Sequence, residues 1–321
     1  MSVEKKQGPL EKGSALGKQR ADLLFKTCAA ACAWIIVLIM VLMAAELIWS
    51  SRLSISEFGF NFLISDAWNP VADKFGALTS IFGTIVSTAL AMLIAVPLSI
   101  VTALFLSELA PPALSRPVGA CIELLAAIPS IIYGMWGLFV IAPLMADHVQ
   151  PFFQERLGFL PLFQGPPMGI GMFTAGLILA LMILPFITSV SRDVINMVPA
   201  MAKESGFGMG ATSWEVTRKV TIPYGLQGIV GACFLGLARA IGETMAVTFV
   251  IGNTHRISAS LFKPANSIAS TLANEFTEAS DPLYLSSLIE LGLVLFLITV
   301  VIQFIAHFWL KRIKLQRGSG L

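Results

Sequence analysis

The chain is divided by apolar runs long enough to cross a lipid bilayer. Between Phe75 and Ser107 it carries no charged residue, whereas a straight helix needs only about 20 apolar residues to span the hydrocarbon core. Comparable runs occupy residues 27–48, 117–146, 167–191, 224–251 and 283–310. Because lipid offers no hydrogen-bond partners to the backbone, each run is predicted to be a helix. We therefore expect an all-α polytopic membrane protein with about six transmembrane helices.

The composition agrees with this pattern. Hydrophobic residues make up 56% of the 321 residues and charged residues only 12%, whereas soluble chains carry about 25% charged residues. The mean hydropathy is +0.82. These values exclude an ordinary soluble domain. The first apolar run is too long for the roughly 7–15-residue core of a signal peptide, so it is predicted to be a transmembrane helix.

The distribution of lysine and arginine predicts the orientation of the spans. Fifteen of these residues lie on the side that holds both chain ends, and five lie on the opposite side. Because basic residues concentrate in cytoplasmic connections, both termini and the connection at 192–223 are expected in the cytoplasm. The predicted divisions are a cytoplasmic tail at 1–26 that is partly helical near Ala21, a first helix with its external connection at 27–74, a membrane core at 75–311 and a cytoplasmic tail at 312–321.

Two opposite charges lie inside the fifth apolar run. Arg239 follows Pro223 by sixteen residues, which is about 24 Å along a helix. An ionised side chain near the bilayer centre costs at least about 2.5–3.5 kcal/mol. Glu243 comes four residues later, so a continuous helix places it on the same face, close enough to pair. Either a structural ion pair or a substrate site on a polar pathway accounts for the two charges.

An anion is the kind of substrate that these two groups favour. A guanidinium is permanently charged and offers two parallel N–H groups to two oxygens of a tetrahedral oxyanion. Phosphate still bears a proton at neutral pH and can donate it to Glu243, whereas sulfate bears none and would be penalised. Arg239 and Glu243 therefore indicate an oxyanion, and phosphate is the hypothesis that uses both groups.

The other polar groups of the spans carry less chemistry. Glu123 and Glu290 are expected to reach water or a partner near the membrane faces. The four cysteines lie in apolar segments, and neither they nor the three histidines have metal-ligand spacing. No disulfide, metal site or catalytic residue is predicted, and no nucleic acid partner is expected.

A polar segment at 192–223 separates the fourth and fifth apolar runs. Pro199 suits the first position of a short helix that Gly210 can end. A capping-box pattern at 212–215 predicts a second short helix that runs to Lys219. The glycine-rich stretch lacks the Lys-Ser/Thr pair of a P-loop and follows an apolar span, so no nucleotide site is predicted. A pair of polar helices on one face offers a handle to a soluble partner.

This segment resembles a family signature. In permease subunits of ATP-binding-cassette (ABC) importers, a cytoplasmic loop reads Glu-Ala-Ala, three residues, Gly, nine residues, Ile, one residue, Leu-Pro. The positions of this chain that keep the spacing are Glu204, Gly210, Val220, Ile222 and Pro223. Ser205 and Gly206 replace the two alanines, and Gly206 costs the helix about 1 kcal/mol relative to alanine. The resemblance implies that coupling to an ATPase involves Glu204, Ser205, Gly206, Gly210 and Pro223.

Two more stretches resemble the phosphate-specific members of these importers. They are residues 123–137 of the third run and residues 236–247 of the fifth run. The resemblance extends from the second run to the chain end and is closest to the PstC-type subunit. It implies the type I ABC importer permease architecture, with a substrate pathway at Arg239, Glu243 and Thr244.

The resemblance also implies partners. A second, similar permease subunit would complete the pathway, two copies of an ATP-binding subunit would dock on the cytoplasmic side, and a periplasmic phosphate-binding protein would deliver the anion. The chain would be a non-enzymatic subunit in a bacterial inner membrane, surrounded by membrane lipid. It would bind no cofactor itself, because ATP and Mg²⁺ would lie in the ATPase.

Two other functions remain open. An ABC permease for another oxyanion, such as molybdate or sulfate, would have the same architecture. An ion-coupled secondary anion transporter would need no ATPase. That alternative leaves the cytoplasmic helix pair unexplained, and the sequence shows no internal inverted repeat of the kind many such transporters carry.

Overall fold

The computed structural model describes residues 9–318, with side chains described for residues 22–312. The outer ends of the two predicted tails, residues 1–8 and 319–321, lie outside the described residues. Within the described range the chain is almost entirely helical, and its one β-type contact is a bridge between Asn69 and Lys74.

The structure divides into two compact units. The first unit, Met1–Ser50, contains one long helix, α1, Pro9–Ser50. The tail through residue 26 was expected to be helical only in part, near Ala21, but the helix already begins at Pro9. The residues that precede the apolar run are mostly good helix formers, among them leucine, glutamate, lysine and alanine, so they extend the helix of the span.

The second unit, Ser51–Leu321, contains the remaining helices. They are α2 (Arg52–Phe58), α3 (Asn61–Ile64), α4 (Leu78–Leu104), α5 (Pro112–Ala126), α6 (Ser130–Trp136), α7 (Ala142–Leu144), α8 (Gln150–Leu157), α9 (Met172–Asn196), α10 (Ala200–Gly208), α11 (Ser213–Val216), α12 (Ile222–Ile241), α13 (Met245–Val250), α14 (Ile268–Glu275) and α15 (Pro282–Gly318). Wider π-type turns at Phe105–Leu109, Gly137–Ile141, Met145–Val149 and Thr217–Thr221 extend or join these helices.

Six helical stretches in the described range are long and apolar enough to cross a membrane. They are Asp22–Ser50, Leu78–Leu109, Ser130–Leu157, Met172–Asn196, Ser213–Ile241 and Pro282–Arg312. The predicted all-α fold with about six transmembrane helices is confirmed. The second, fourth and sixth spans lie within five residues of their predicted bounds.

The third span begins later than predicted. Sequence analysis placed it at 117–146, whereas residues up to Ala126 form the separate helix α5 and the span starts at Ser130. Pro129 has an extended backbone and cannot donate a backbone hydrogen bond, so it separates the two helices. At its other end the helix continues to Leu157.

The fifth span differs from its prediction at both ends. It was placed at 224–251, but a continuous helix runs from Ser213 to Ile241 and includes the second short helix expected to end at Lys219. The π-type turn at Thr217–Thr221 precedes Pro223 and gives the proline ring room within the helix. The helix then ends at Ile241, and the chain forms α13 after a break.

The helix α9 is the centre of the second unit. Of its most apolar stretch 61% is buried, compared with 28% for each of the other spans of this unit. It packs most closely on α4, where a side chain at Gly176 would lie 2.6 Å from Leu90. The Ser99 hydroxyl of α4 donates to the Leu184 carbonyl of α9 across 3.0 Å. Small and hydroxyl residues thus let these spans approach closely.

The connections before the second, fourth and sixth spans form the face opposite residues 192–223, called the distal face below. Backbone hydrogen bonds join two of these connections, from Leu261 N to Leu162 O and from Phe173 N to Leu261 O. The connection before the sixth span also packs tightly on α4. A side chain at Gly83 of α4 would collide with the Asn266 carbonyl at 1.7 Å. The distal face is therefore a closely joined surface.

Candidate functional site

The three predicted pathway residues lie at the break in the fifth span. Arg239 is in the last turn of α12, and Glu243 and Thr244 lie between α12 and α13. Arg239 is exposed, while Glu243 and Thr244 are half-buried. The structure therefore brings these residues together at an interruption of the helix, where polar backbone groups are also available.

Arg239 and Glu243 do not form the ion pair that was one of the two alternatives for these charges. Sequence analysis assumed a continuous helix, but the helix ends before Glu243, so spacing by four residues no longer places both side chains on one face. Oε1 of Glu243 instead accepts a hydrogen bond from the Ala246 N–H at 3.1 Å, which satisfies a free donor at the start of α13. The Thr244 carbonyl accepts from the Thr248 hydroxyl at 2.8 Å.

Arg239 has no counter-ion among the side chains that the structure describes. Among the side chains of residues 22–312 it makes no ion pair and no hydrogen bond. Its guanidinium is close enough to Tyr133 to interact electrostatically with that hydroxyl, which donates to the Leu125 carbonyl at 2.9 Å. A permanent cation without a carboxylate partner is suited to an external anion.

Gly134 lets the third span pack closely on the residues after the break in the fifth span. A side chain at Gly134 of α6 would lie 3.0 Å from the Met245 carbonyl and 2.9 Å from the Phe249 ring. Only a residue without a side chain lets α6 approach α13 this closely. This contact holds the neighbouring Tyr133 beside Arg239 and joins the two stretches, 123–137 and 236–247, that sequence analysis singled out.

An apolar groove of about 340 Å³ adjoins Tyr133. Its lining residues are Leu125, Ile128, Ile132, Tyr133, Trp136, Leu181, Leu184 and Pro185. Arg239 is not among these lining residues, and the groove does not by itself form a polar pathway.

The segment at 192–223, called the coupling segment below, contains the residues of the loop signature. Pro199 directly precedes α10, and Gly210, with φ +85°, ends the turn that follows this helix. Gly206 is buried, and a side chain there would lie 3.0 Å from Val216. The glycine that replaces a signature alanine thus lets α10 pack on α11.

The second half of the coupling segment is capped as predicted. Thr212 Oγ1 accepts from the Glu215 N–H, and Glu215 accepts from the Thr212 N–H at 3.0 Å, so the expected capping box is confirmed. Glu204 and Ser205 are exposed. Five large apolar side chains of the same segment are also exposed, namely Met197, Met201, Phe207, Met209 and Trp214. Exposed apolar side chains beside a carboxylate are typical of a protein-binding surface.

One ion pair of the coupling segment was not predicted. Lys203 of α10 contacts Glu108, at the end of the second span, across 2.6 Å. The two residues are 95 positions apart, so no local spacing rule could have paired them.

Glu123, which lies in α5 before the third span, and Glu290, in the sixth span, both have a polar neighbour. Glu123 lies 3.5 Å from Arg192, which fits into the space left by Gly119. Glu290 is buried, with 6% of its surface exposed, and lies beside Ser54. No cluster of three or more His, Cys, Asp or Glu side chains that could hold a metal ion occurs in the part of the chain with described side chains.

A polar network on the distal face was also missed. Glu275 accepts hydrogen bonds from Trp68 Nε1 at 2.6 Å and from the Tyr284 hydroxyl at 2.7 Å, and it contacts His255 Nε2 at 2.8 Å. Burial alone would raise the pKa of Glu275, but these contacts with His255, Tyr284 and Trp68 outweigh it and hold the pKa below its ordinary value. The His255 ring stacks on Trp68.

Known proteins share this architecture. The model of the family "binding-protein-dependent transport system inner membrane component" matches residues 95–315. A permease chain of a bacterial alginate ABC transporter superposes with a TM-score of 0.61 at 17% identity, covering 92% of this chain and 96% of that chain. A MetNI methionine ABC transporter chain gives 0.51 at 20% identity, covering 74% and 94%. At these identities the likeness concerns the fold.

Curated relatives are much more similar in sequence. A phosphate transport system permease protein PstC of Mesorhizobium japonicum is 54% identical over 93% of this chain and 92% of its own length. The PstC protein of Pasteurella multocida is 53% identical over 92% and 94%. A probable PstC protein of Methanocaldococcus jannaschii is 35% identical over 90% and 93%.

The six spans and the permease fold define a multi-pass membrane component of an ABC transport system. The chain belongs to the family of binding-protein-dependent transport system inner membrane components. Within it, the curated relatives named above, which match nearly end to end, are phosphate transport permease proteins.

Proposed function

We propose that this chain is a permease subunit of an ATP-driven importer that carries inorganic phosphate into the cytoplasm. The observation that carries the proposal is the match of more than nine-tenths of the chain to relatives whose names state phosphate transport. The site geometry supports an anion as the cargo, since Arg239 is exposed beside a helix break and has no counter-ion among the described side chains.

In this proposal Arg239 binds the anion and the neighbouring residues tune selectivity. The guanidinium presents paired N–H groups to two phosphate oxygens. One carboxylate oxygen of Glu243 is engaged by the Ala246 N–H, and the carboxylate retains acceptor capacity for the proton that phosphate bears and sulfate lacks. Thr244 adds a hydroxyl at the same break. Breaks in membrane helices are common substrate sites because they expose backbone groups to a cavity.

The coupling segment would bind an ATPase subunit. Its exposed apolar side chains and the Glu204 carboxylate offer a surface to a soluble partner, with Ser205 in contact. Gly206 lets α10 pack on α11, Gly210 ends the turn after α10, and Pro223 lies in the first turn of α12. ATP and Mg²⁺ would bind in that partner, so this chain would hold no cofactor. Closure of two ATPase copies would move α10 and change the side to which Arg239 opens.

The remaining partners follow from the surfaces of this chain. The apolar groove beside Tyr133 does not provide a polar pathway alone, so a second, similar permease subunit would supply the other wall. A periplasmic phosphate-binding protein would deliver the anion to the distal face. The excess of lysine and arginine on the side of the coupling segment supports cytoplasmic termini in a bacterial inner membrane.

Phosphate uptake by cells tests this function. Cells that lack this chain, and cells given it back, would be compared for uptake of radiolabelled phosphate at micromolar concentration, with excess unlabelled sulfate or molybdate. A second series would add a proton uncoupler while ATP is maintained. We expect restored uptake that ignores both competing anions and survives uncoupling.

Other outcomes would contradict specific parts. Uptake that collapses with the proton gradient despite maintained ATP would indicate a secondary transporter. Competition by sulfate or molybdate would assign the permease to another oxyanion. Absence of phosphate uptake with every partner present would remove phosphate as the cargo.

A further inference from the structure

A cavity of about 330 Å³ on the distal face is lined by two cations. Its lining residues are Pro166, Thr254, Arg256, Ile257, Ser258, Lys263 and Pro264. Arg256 and Lys263 are exposed, and neither has an ion-pair partner among the side chains that the structure describes. No carboxylate lines the cavity, so both charges are available to an external anion.

The backbone that carries these cations is fixed by hydrogen bonds. The Thr254 N–H donates to the Ala265 carbonyl at 3.0 Å, and the Arg256 N–H donates to the Thr254 carbonyl at 2.9 Å. The stem of Lys263 passes over Gly165, where a side chain would lie 3.5 Å from its Cγ and Cε atoms. The cavity walls are therefore in place before a ligand arrives, which lowers the entropic cost of binding.

The carboxylate of Glu275, which contacts the loop that carries Arg256, is already engaged by other groups. His255, between Thr254 and Arg256, contacts Glu275, which also accepts hydrogen bonds from Trp68 and Tyr284. This network holds in place the loop that carries Arg256. It also leaves the negative charge of Glu275 occupied by its own donors instead of neutralising Arg256.

The polar groups of the cavity are mainly donors. Arg256 and Lys263 can only donate hydrogen bonds. The Ser258 oxygen accepts from the Ser260 N–H at 3.2 Å, which leaves its hydroxyl hydrogen for a ligand. A guanidinium, an ammonium and a hydroxyl around one cavity match the acceptor oxygens of an oxyanion, because hydrogen bonds between ionised groups are the strong ones.

The cavity adjoins the far end of the helix that begins at the pathway residues. Glu243 and Thr244 precede α13, and Thr254 follows it shortly after its last residue, Val250. The six residues of α13 correspond to about 9 Å of helix. The cavity therefore lies beyond the distal end of α13, whose other end follows Glu243 and Thr244.

We propose that this cavity is an entry subsite that binds a tetrahedral oxyanion through Arg256, Lys263 and Ser258. The identity of the anion as phosphate rests on the proposed function, whereas the anion class rests on the cavity itself. The subsite holds the anion after its delivery at the distal face and before it reaches Arg239. Both cations are exposed, so binding here is weak and reversible, as passage requires.

Direct binding of inorganic phosphate tests the subsite. The importer complex, purified through a tag on this chain and placed in lipid nanodiscs without the delivering protein, would carry Arg239→Gln to remove the inner site. Equilibrium dialysis with radiolabelled phosphate would compare this background with one that adds Arg256→Gln and Lys263→Gln. We expect at least a tenfold loss of affinity. The charge-conserving double variant Arg256→Lys with Lys263→Arg should retain binding, which also controls for folding.

Arg156→Gln provides a matched control. Arg156 is a cation of the same face, but it lies over the Phe152 ring outside the cavity, so its loss should leave phosphate binding unchanged. Unchanged binding in the Arg256→Gln, Lys263→Gln variant would overturn the proposal. If that variant bound phosphate unchanged but captured the delivering protein more weakly, the two cations would contact that protein and not the anion, and the proposal would also fail. Either result would leave the uptake test of phosphate transport unaffected.

Discussion

The ammonium nitrogen of Lys203 lies 2.6 Å from Oε1 of Glu108, and this contact ties α10 to the end of the second span. The side chains are only 20% and 15% exposed, whereas those of the pair Lys219–Glu215 are 73% and 43% exposed. One turn further along the same face, α10 packs on Val216 at Gly206. The helix therefore contacts both the second span and the helix of the fifth span, so a displacement of α10 would alter both contacts.

Charge reversal at this pair should uncouple the importer. Lys203→Glu places two carboxylates together, and losing a charged hydrogen bond costs about 1.5–3 kcal/mol, which corresponds to roughly a 10–100-fold effect. We expect phosphate uptake per ATP hydrolysed to fall by that order in proteoliposomes. The double variant Lys203→Glu with Glu108→Lys should recover most of it.

The exposed pair serves as the control for this reversal. Lys219→Glu should change coupling little, because solvent-exposed ion pairs contribute about 0–1 kcal/mol. A double variant no better than Lys203→Glu alone would show that the ion pair does not transmit the movement. Co-purification of the ATPase would be measured in each variant to separate coupling from assembly.

Two glycines of the coupling segment should respond oppositely to alanine. Gly208 and Gly210 both have open space where a Cβ atom would lie, but Gly208 is helical and Gly210 has φ +85°. Gly208→Ala should stabilise α10 by up to about 1 kcal/mol. Gly210→Ala should cost about 1–2 kcal/mol, because an L side chain is strained in the left-handed region.

Hydrogen exchange of α10 measures this contrast. Faster exchange of its amides in Gly210→Ala and slower exchange in Gly208→Ala are expected, with weaker ATPase co-purification only in the former. Equal effects of the two substitutions would mean that the turn conformation at Gly210 does not determine the position of α10.

Substitutions at Arg239 should separate a substrate role from a structural one. Arg239→Gln removes the charge and should lower phosphate uptake at least tenfold, while the amount of assembled complex stays unchanged. Assembly is expected to survive because Arg239 has no ion pair or hydrogen bond to lose within the described side chains. Arg239→Lys keeps the charge but not the paired N–H groups, so intermediate uptake is expected. Loss of assembly in Arg239→Gln would instead indicate a structural role.

The number of spans was predictable from sequence because each is a long apolar run, and a helix is the structure that satisfies its backbone in lipid. The bounds of the third and fifth spans, near Pro129 and Pro223, were not predictable in this way. Pro129 ends one helix and starts another, whereas Pro223 lies inside a continuous helix because a π-type turn precedes it. The same residue type thus has opposite effects, depending on turns that sequence periodicity does not reveal.

The candidate site was only partly predictable for a related reason. The charges Arg239 and Glu243 were visible because charge is rare in an apolar run, but their pairing assumed continuation of a helix that in fact ends at Ile241. The contacts Lys203–Glu108 and His255–Glu275 join distant segments, and only tertiary packing creates them. Local sequence patterns identify which residues are unusual, while packing determines their partners.

The Glu275 network predicts a pH dependence of stability on the distal face. The folded pKa of Glu275 is lowered below the unfolded value, which is about 4.3. Its stabilisation is therefore present above about pH 4.3 and is lost as pH falls through the lower folded pKa. In Glu275→Gln this contribution is absent, so at neutral pH the variant should be less stable by about 1–3 kcal/mol.

Thermal unfolding of the purified chain between about pH 3 and pH 7 measures this difference. The Tm of the unmodified chain should fall more steeply on acidification than that of Glu275→Gln, so the two curves should converge at low pH. Glu278→Gln is the matched control, since Glu278 is exposed three residues further on, and it should follow the unmodified chain. Parallel curves for the chain and Glu275→Gln would mean that His255, Trp68 and Tyr284 hold the carboxyl without depending on its charge.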